Sequence, residues 1–128
     1  MKPSILIVDD DEVMRETLSD VLKRGEYEVY SVGSGGETLS VIRKNIIDLI
    51  LLDMRLPDGD GLELLKKIKE FDTEILVIIM TAYSDIQTAV SAIKSGAYHY
   101  INKPFDLEEL KLLIEKGLET KSLINEVR

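Results

Sequence analysis

Apolar residues along this chain fall into two alternating spacings. Short unbroken runs read as strands buried on both faces, and runs of helical period lie between them. "SILIVD" (4–9) is the first strand. Residues 12–24 carry Met14, Leu18 and Val21/Leu22 on one helical face, and Gly25 can close that helix. "YEVYSV" (27–32) is the second strand. Ser34 and Glu37 have capping-box spacing and open a helix through about Lys44 that buries Leu39 and Ile42. "DLILLD" (48–53) is the third strand, "LPDGDG" (56–61) reads as a loop, and residues 60–70 form a helix around Leu64/Leu65 and Ile68. "EILVIIMT" (74–81), the fourth strand, is the most apolar run. Ser84 with Gln87 opens a fourth helix whose inner face is predicted as Ile86, Ala89/Val90, Ile93 and Ala97, with Gly96 near its end. "YHYIN" (98–102) is a short fifth strand. Asp106 with Glu109 caps a last helix carrying Leu107, Leu110, Ile114 and Leu118.

Five βα units in sequence imply an α/β domain: a doubly wound parallel sheet with helices on both faces and right-handed crossovers. In such a sheet the ligand site lies beyond the carboxyl ends of the strands. The 128 residues suffice for one domain with its own core, and no repeat or linker interrupts them before residue 118. A net charge of −8 argues against nucleic-acid binding by this chain itself. There is no cysteine, hence no disulfide and no thiolate metal site. No apolar run approaches signal-peptide or membrane-helix length, so a cytoplasmic location is expected by default.

The architecture directs attention to the strand ends. Strand one ends in "VDDD", strand three in "LLD", strand four in "IMTA" and strand five in "INKP". The carboxyl rim therefore gathers Asp9, Asp10, Asp53, Thr81 and Lys103. Plainer roles exist for each: Asp9 or Asp10 as a helix cap, Asp53 as a strand-end turn residue, Thr81 as a buried strand residue, Lys103 as a solvated lysine. Three carboxylates at one rim nevertheless repel, and one lysine does not balance them. An all-oxygen ligand set points to Mg²⁺, with Mn²⁺ possible, rather than zinc. A hydroxyl and an ammonium beside such a cation suit a phosphoryl group, and Asp53 is placed to attack phosphorus. His99 stands alone with no partner motif and reads as structural or exposed.

These residues carry a resemblance. "ILIVDDDE", "LLDMRLPDGDG", "MTAY" and "YINKPF" stand in order on the five-unit frame. Over residues 4–120 the chain resembles the receiver domain of two-component response regulators. The resemblance implies a flavodoxin-like sheet of order 2-1-3-4-5. It implies that Asp53 accepts a phosphoryl group from a sensor histidine kinase. Asp10 and Asp53 would ligate Mg²⁺ directly, Asp9 through water, and Arg55 through its backbone carbonyl. Thr81 and Lys103 would contact the phosphoryl group, Thr81 and Tyr100 would form the switch pair, and the Lys103–Pro104 bond would be cis. Tyr100 as plain core packing is the simpler alternative. Arg55 and Tyr83 would sit at the mouth of the site and slow the attack of water. Two rival motifs fail. A calcium loop starting at Asp58 has Glu63 where glycine is required and Lys69 where glutamate belongs. A haloacid-dehalogenase-type phosphatase would want an aspartate where Arg55 stands.

The output is read from the second half. "MTAYSDIQTAVSAIKSGAYHYINKPFD" resembles the receivers of sigma-54-dependent (NtrC-like) activators, which implies an attached ATPase and DNA-binding domain. Leu118, Leu123/Ile124 and Val127 continue an apolar stripe. Residues 1–120 are therefore expected to be the receiver, and 118–128 the start of a linker helix or coiled coil. The alternative for the stripe is one amphipathic helix packed on its own sheet. A homodimer is expected through the fourth helix, fifth strand and last helix, or through the extended last helix. The chain would not be an enzyme acting on outside substrates. A stand-alone receiver working in a phosphorelay, and a Mg²⁺-dependent phosphatase, are the other readings.

Overall fold

The computed structural model describes residues 2–82 and 86–127, with side chains through Lys121. A parallel sheet holds β1 (Ser4–Val8), β2 (Glu28–Val32), β3 (Leu49–Asp53), β6 (Leu76–Ala82) and β7 (His99–Lys103) in the order β2-β1-β3-β6-β7. Counting only these long strands, the order is the expected 2-1-3-4-5. The helices are α1 (Glu12–Arg24), α2 (Gly35–Lys44), α3 (Gly61–Phe71), α4 (Ile86–Lys94) and α5 (Leu107–Val127).

Side chains on a strand point alternately to its two faces, and the register fixes which ones meet. Val8, Leu52 and Ile79 are aligned across three strands, as are Ile7, Leu51 and Ile78. The first set belongs to a core covered by Ile42, Leu65, Ile68 and Ala92 from α2, α3 and α4. The second belongs to a core covered by Leu18 and Leu22 of α1 and Leu110 and Ile114 of α5. Leu49 to Leu52 are fully buried, half on each face, which is why the run shows no polar alternation.

Helix starts follow local chemistry. Asp11 caps α1 by accepting from the Val13 and Met14 amides. Ser34 accepts from the Glu37 amide and donates to its carboxylate, closing the capping box of α2. Gly25 caps α1, and Gly96, at φ +110, makes the left-handed turn after α4.

Three expectations need correction. First, α4 buries Ala89 and Ala92, whereas Ile86, Val90 and Ile93 are 55%, 44% and 40% exposed. The small residues face the sheet and bring the helix close to it, so its large residues point outward. Second, Asp106 serves α5 by accepting from the Glu108 amide, not by pairing with Glu109. Third, the segment after Asp53 is not a plain loop. Arg55–Leu56 (β4) pairs antiparallel with Gly59–Asp60 (β5). The proposed Ser84 cap lies outside the described residues.

Candidate functional site

The carboxyl ends of β1, β3 and β7 converge. Val8 and Leu52 belong to the α2–α4 core, so Asp9 and Asp53, one step further, turn to the α1/α5 face. Ile101 belongs to the α1/α5 core, and Lys103, two steps on, shares that face. Lys103 Nζ stands between the two acids, 2.9 Å from Asp9 Oδ2 and 3.2 Å from Asp53 Oδ2. The Asp9 side chain is 1% exposed and that of Asp53 13%. Asp10 is exposed, yet Asp9, Asp10 and Asp53 can each bring one oxygen within 4.8 Å of the others.

Backbone contacts hold these groups. Asp9 Oδ1 accepts from the Asp11 amide at 3.0 Å, and Asp53 Oδ1 from the Arg55 amide at 3.3 Å. Gly61 lets the start of α3 lie against this strand end: a Cβ there would fall 2.8 Å from the Asp53 carbonyl oxygen. The Lys103–Pro104 peptide is cis.

Burial pushes the Asp53 carboxyl above the ordinary carboxylate range. The Lys103 ammonium pulls it back, Asp9 pushes it up again, and the balance stays upward. Burial also works against the Lys103 ammonium, but its bonds to Asp9 and Asp53 prevail and hold it above the usual lysine value. Three carboxylates and one ammonium leave the rim with an excess of negative charge. That donor set, all oxygen and partly open through Asp10, fits a hard divalent cation.

Thr81 is placed differently. It is 2% exposed and follows Met80 of the α1/α5 core, so it turns to the α2–α4 face. Its hydroxyl donates to the Ala82 carbonyl at 3.3 Å, not to the acidic cluster. Tyr100 packs on the α2–α4 core, also on that side. Arg55 is exposed in β4. Tyr83, the other expected mouth residue, lies outside the described residues. His99 is exposed, and its Nδ1 is engaged by the backbone of Tyr100.

Three contributors escape sequence reading. Arg15 Nη1 donates to the Asp9 carbonyl at 2.7 Å and so steadies the acidic loop from one turn inside α1. Asp58, in the β4–β5 turn, accepts from the Gly35 and Gly36 amides at 2.9 Å each and ties that turn to the start of α2. Asn102, register-paired with Thr81, holds a buried side-chain oxygen. The first two contacts span loops with no local signature; a polar residue inside an apolar strand was the one available sign of the third.

The model of the response regulator receiver domain family matches residues 5–115. The chain is 38% identical over 124 residues to regulatory protein AtoC of Escherichia coli, covering 97% of this chain and 27% of that protein. It is 38% identical over 122 residues to sporulation initiation phosphotransferase F of Bacillus subtilis, covering 95% of this chain and 98% of that one. The crystal structure of NtrX from Brucella abortus superposes with a TM-score of 0.93 at 36% identity, over 99% of this chain and 29% of that chain. The chain thus spans about a quarter of the length of the first of these relatives.

Proposed function

This chain belongs to the response regulator receiver domain family, a signalling family, and we propose that Asp53 is the phosphoacceptor of its switch. The observation that carries this reading is the position of Lys103 Nζ, between a buried Asp9 and a partly buried Asp53, with Asp10 alongside. A carboxylate oxygen of Asp53 attacks the phosphorus of a phosphohistidine on a sensor kinase. The bond from phosphorus to the imidazole nitrogen breaks, and the electron pair stays on the imidazole. Lys103 balances charge on the transferring oxygens, and Thr81 turns its hydroxyl toward them. Asp10 and Asp53 would hold Mg²⁺ directly, Asp9 through water, and the Arg55 carbonyl would complete the protein ligands. The ion supplies charge neutralisation at the phosphoryl group.

The new acyl phosphate adds about two negative charges at the rim. As Thr81 moves toward them, the Tyr100 ring follows into the space it leaves, and the surface of α4, β7 and α5 changes its partners. This is a shift between two populations, biased by contacts that only the phosphorylated form makes. The exposed Ile86, Val90 and Ile93 of α4 support a protein partner on that surface, a second copy of this chain included. The unbroken 21 residues of α5 support a linker helix over 118–128, beyond a receiver of residues 1–120. The long relatives support a parent protein with an ATPase and a DNA-binding domain, hence a sigma-54-dependent output. Among the described residues no helix is long and apolar enough to cross a membrane, which accords with cytoplasmic work. The site serves its own phosphorylation and dephosphorylation and no outside substrate.

Incubation with acetyl phosphate and Mg²⁺, followed by intact-mass measurement, tests this. One added phosphoryl group, labile to hydroxylamine and absent from Asp53→Asn, is expected. A phosphoryl group retained by Asp53→Asn refutes the assignment, and sustained turnover of small phosphate esters refutes the switch in favour of a phosphatase.

A further inference from the structure

Asn102 sits where β7 reaches the site, and it fits poorly in this state. Its Oδ1 is buried and accepts no hydrogen bond, the one such side-chain atom among the described residues. A buried polar atom without a partner calls for an explanation. Its location offers one. Thr81 and Asn102 are register partners on adjacent parallel strands. Ile79 and Tyr100, the pair two steps before them, both join the α2–α4 core, so Thr81 and Asn102 share that face. The Thr81 hydroxyl is poorly served too, since its long contact runs to the carbonyl of its own sequence neighbour. An unpartnered oxygen and a hydroxyl with one long hydrogen bond thus belong to register-paired residues, and the oxygen is on the residue next to Lys103.

We propose that Asn102 is a positioning residue for Thr81: its side-chain amide donates to Thr81 Oγ1 once that hydroxyl turns its proton to the phosphoryl group. The inference rests on the reading of Asp53 and Thr81 given above. A hydroxyl donates one hydrogen bond and accepts through two lone pairs. Committing the proton to a phosphoryl oxygen leaves the lone pairs in need of a donor. Turning the Asn102 amide about its last torsion exchanges the positions of its NH₂ group and its oxygen. A donor behind the hydroxyl also polarises it and strengthens its bond to the anion. The stranded oxygen of the resting state then becomes part of the bias: it weakens the state that lacks the phosphoryl group and is relieved in the state that has it.

The test uses the whole chain with Mg²⁺ and beryllofluoride, a non-hydrolysed phosphoryl mimic. Asn102→Leu is expected to weaken beryllofluoride binding about tenfold, the worth of one hydrogen bond to a charged network, with Mg²⁺ affinity unchanged. In a Thr81→Val background the same substitution should cost nothing further. In spectra of wild-type protein labelled with ¹⁵N at asparagine, the Asn102 side-chain amide should shift and exchange more slowly once beryllofluoride binds. This last readout needs no variant to fold. Unchanged beryllofluoride affinity in Asn102→Leu, or an equal loss with and without the Thr81 hydroxyl, or an Asn102 amide indifferent to beryllofluoride, would overturn the proposal. Wild-type protein that ignores beryllofluoride, or Asp53→Asn that binds it equally well, would instead overturn the reading of Asp53 and the inference with it.

Discussion

Removing the Asp53 carboxylate should make the protein more stable, as long as no divalent cation is present. Asp53 is held by opposing forces of similar size. The Lys103 ammonium at 3.2 Å attracts it by about 5 kcal/mol at an effective dielectric of about 20. Asp9, with an oxygen within 4.8 Å, repels it by about 3.5 kcal/mol on the same basis. Asp10 adds a smaller repulsion, screened by its exposure, and the cost of burying the charge comes on top. The upward displacement of the Asp53 carboxyl shows that the unfavourable side wins. Relieving that cost should gain about 1–3 kcal/mol at neutral pH, the usual cost of a buried polar group whose desolvation is not repaid. Its sign with pH follows from linkage. The folded protein holds the Asp53 proton more tightly than the unfolded chain does. The stabilisation from that proton is complete below the ordinary carboxylate value and disappears as pH rises through the raised folded value. Asp53→Asn keeps an uncharged side chain at every pH and should not show this loss. Urea unfolding followed by circular dichroism between pH 4 and 8, in EDTA, measures the difference. If Asp53 is a ligand as proposed, saturating Mg²⁺ should then reverse the order, because ion binding stabilises the wild type in proportion to its affinity and the variant lacks one carboxylate of the cluster. If Asp53→Asn is no more stable than wild type at neutral pH in EDTA, or if both respond alike to Mg²⁺, the electrostatic account is wrong.

Three further outcomes follow from the same geometry. Lys103→Met leaves a nearly buried Asp9 and its neighbour Asp53 without a counter-charge; about 3–5 kcal/mol should be lost at neutral pH in urea titrations, with partial recovery in acid. Equal stability of this variant and wild type would show that the lysine balances nothing. Gly61→Ala puts a Cβ 2.7 Å from Met54 Cα and 2.8 Å from the Asp53 carbonyl oxygen, both backbone atoms that cannot swing aside. A loss of about 1–3 kcal/mol is expected together with weaker Mg²⁺ binding by calorimetry; unchanged metal affinity would show that the end of β3 is not displaced. The amides of Gly35 and Gly36 hold the Asp58 carboxyl below the usual carboxylate range. Those bonds persist well into acid and break only as pH falls through the depressed value. The two glycine amide resonances should therefore titrate below the ordinary aspartate range, and Asp58→Ala should abolish the transition.

The three central strands, β1, β3 and β6, were legible because they are buried on both faces, and an unbroken apolar run has few other uses in a chain this short. Asp9 and Asp53 were legible for a related reason: each is the charged residue that ends such a run, and Lys103 likewise ends the shorter, mixed β7, so the place of each on the rim follows once its strand is recognised. The same property hid the orientation of Thr81. A strand without polar alternation does not announce which residues share a face, and only the register of Ile79 with Tyr100 and of Met80 with Ile101 settles it. In α4 two stripes compete, Ile86/Val90/Ile93 and Ala89/Ala92, both at helical spacing. Hydrophobicity favours the first, but close approach to the sheet favours the second, and packing decided. The β4–β5 hairpin has two residues per strand, too few for any period to show. Contacts such as Arg15 to Asp9 or Asp58 to α2 depend on where loops end in space and leave no trace in local sequence.

The division of the rim between the two faces of the sheet bears on how a switch can work here. Asp9, Asp53 and Lys103 belong by alternation to the side of α1 and α5, and they already bond to one another. Thr81, Asn102 and Tyr100 belong to the side of α4, and they bond neither to the acids nor to Lys103. The β6 and β7 backbones separate the groups, so a charge change confined to the first side has no direct hydrogen-bonded route to the second. A tetrahedral group on Asp53 differs from a carboxylate in this respect. It stands farther out from the strand and presents oxygens in several directions, so it can face Lys103 on one side and Thr81 on the other. Coupling of the acidic rim to α4 then requires no pre-existing chain of contacts through the core; the added group is itself the missing contact. Neutralising Asp53 alone, as in Asp53→Asn, should accordingly leave the α4 surface in its resting state, with backbone amide shifts of α4 near those of the unmodified protein, while beryllofluoride on the wild type should move them. Equal movement of α4 in both would mean that charge, rather than the bridging geometry, drives the transition.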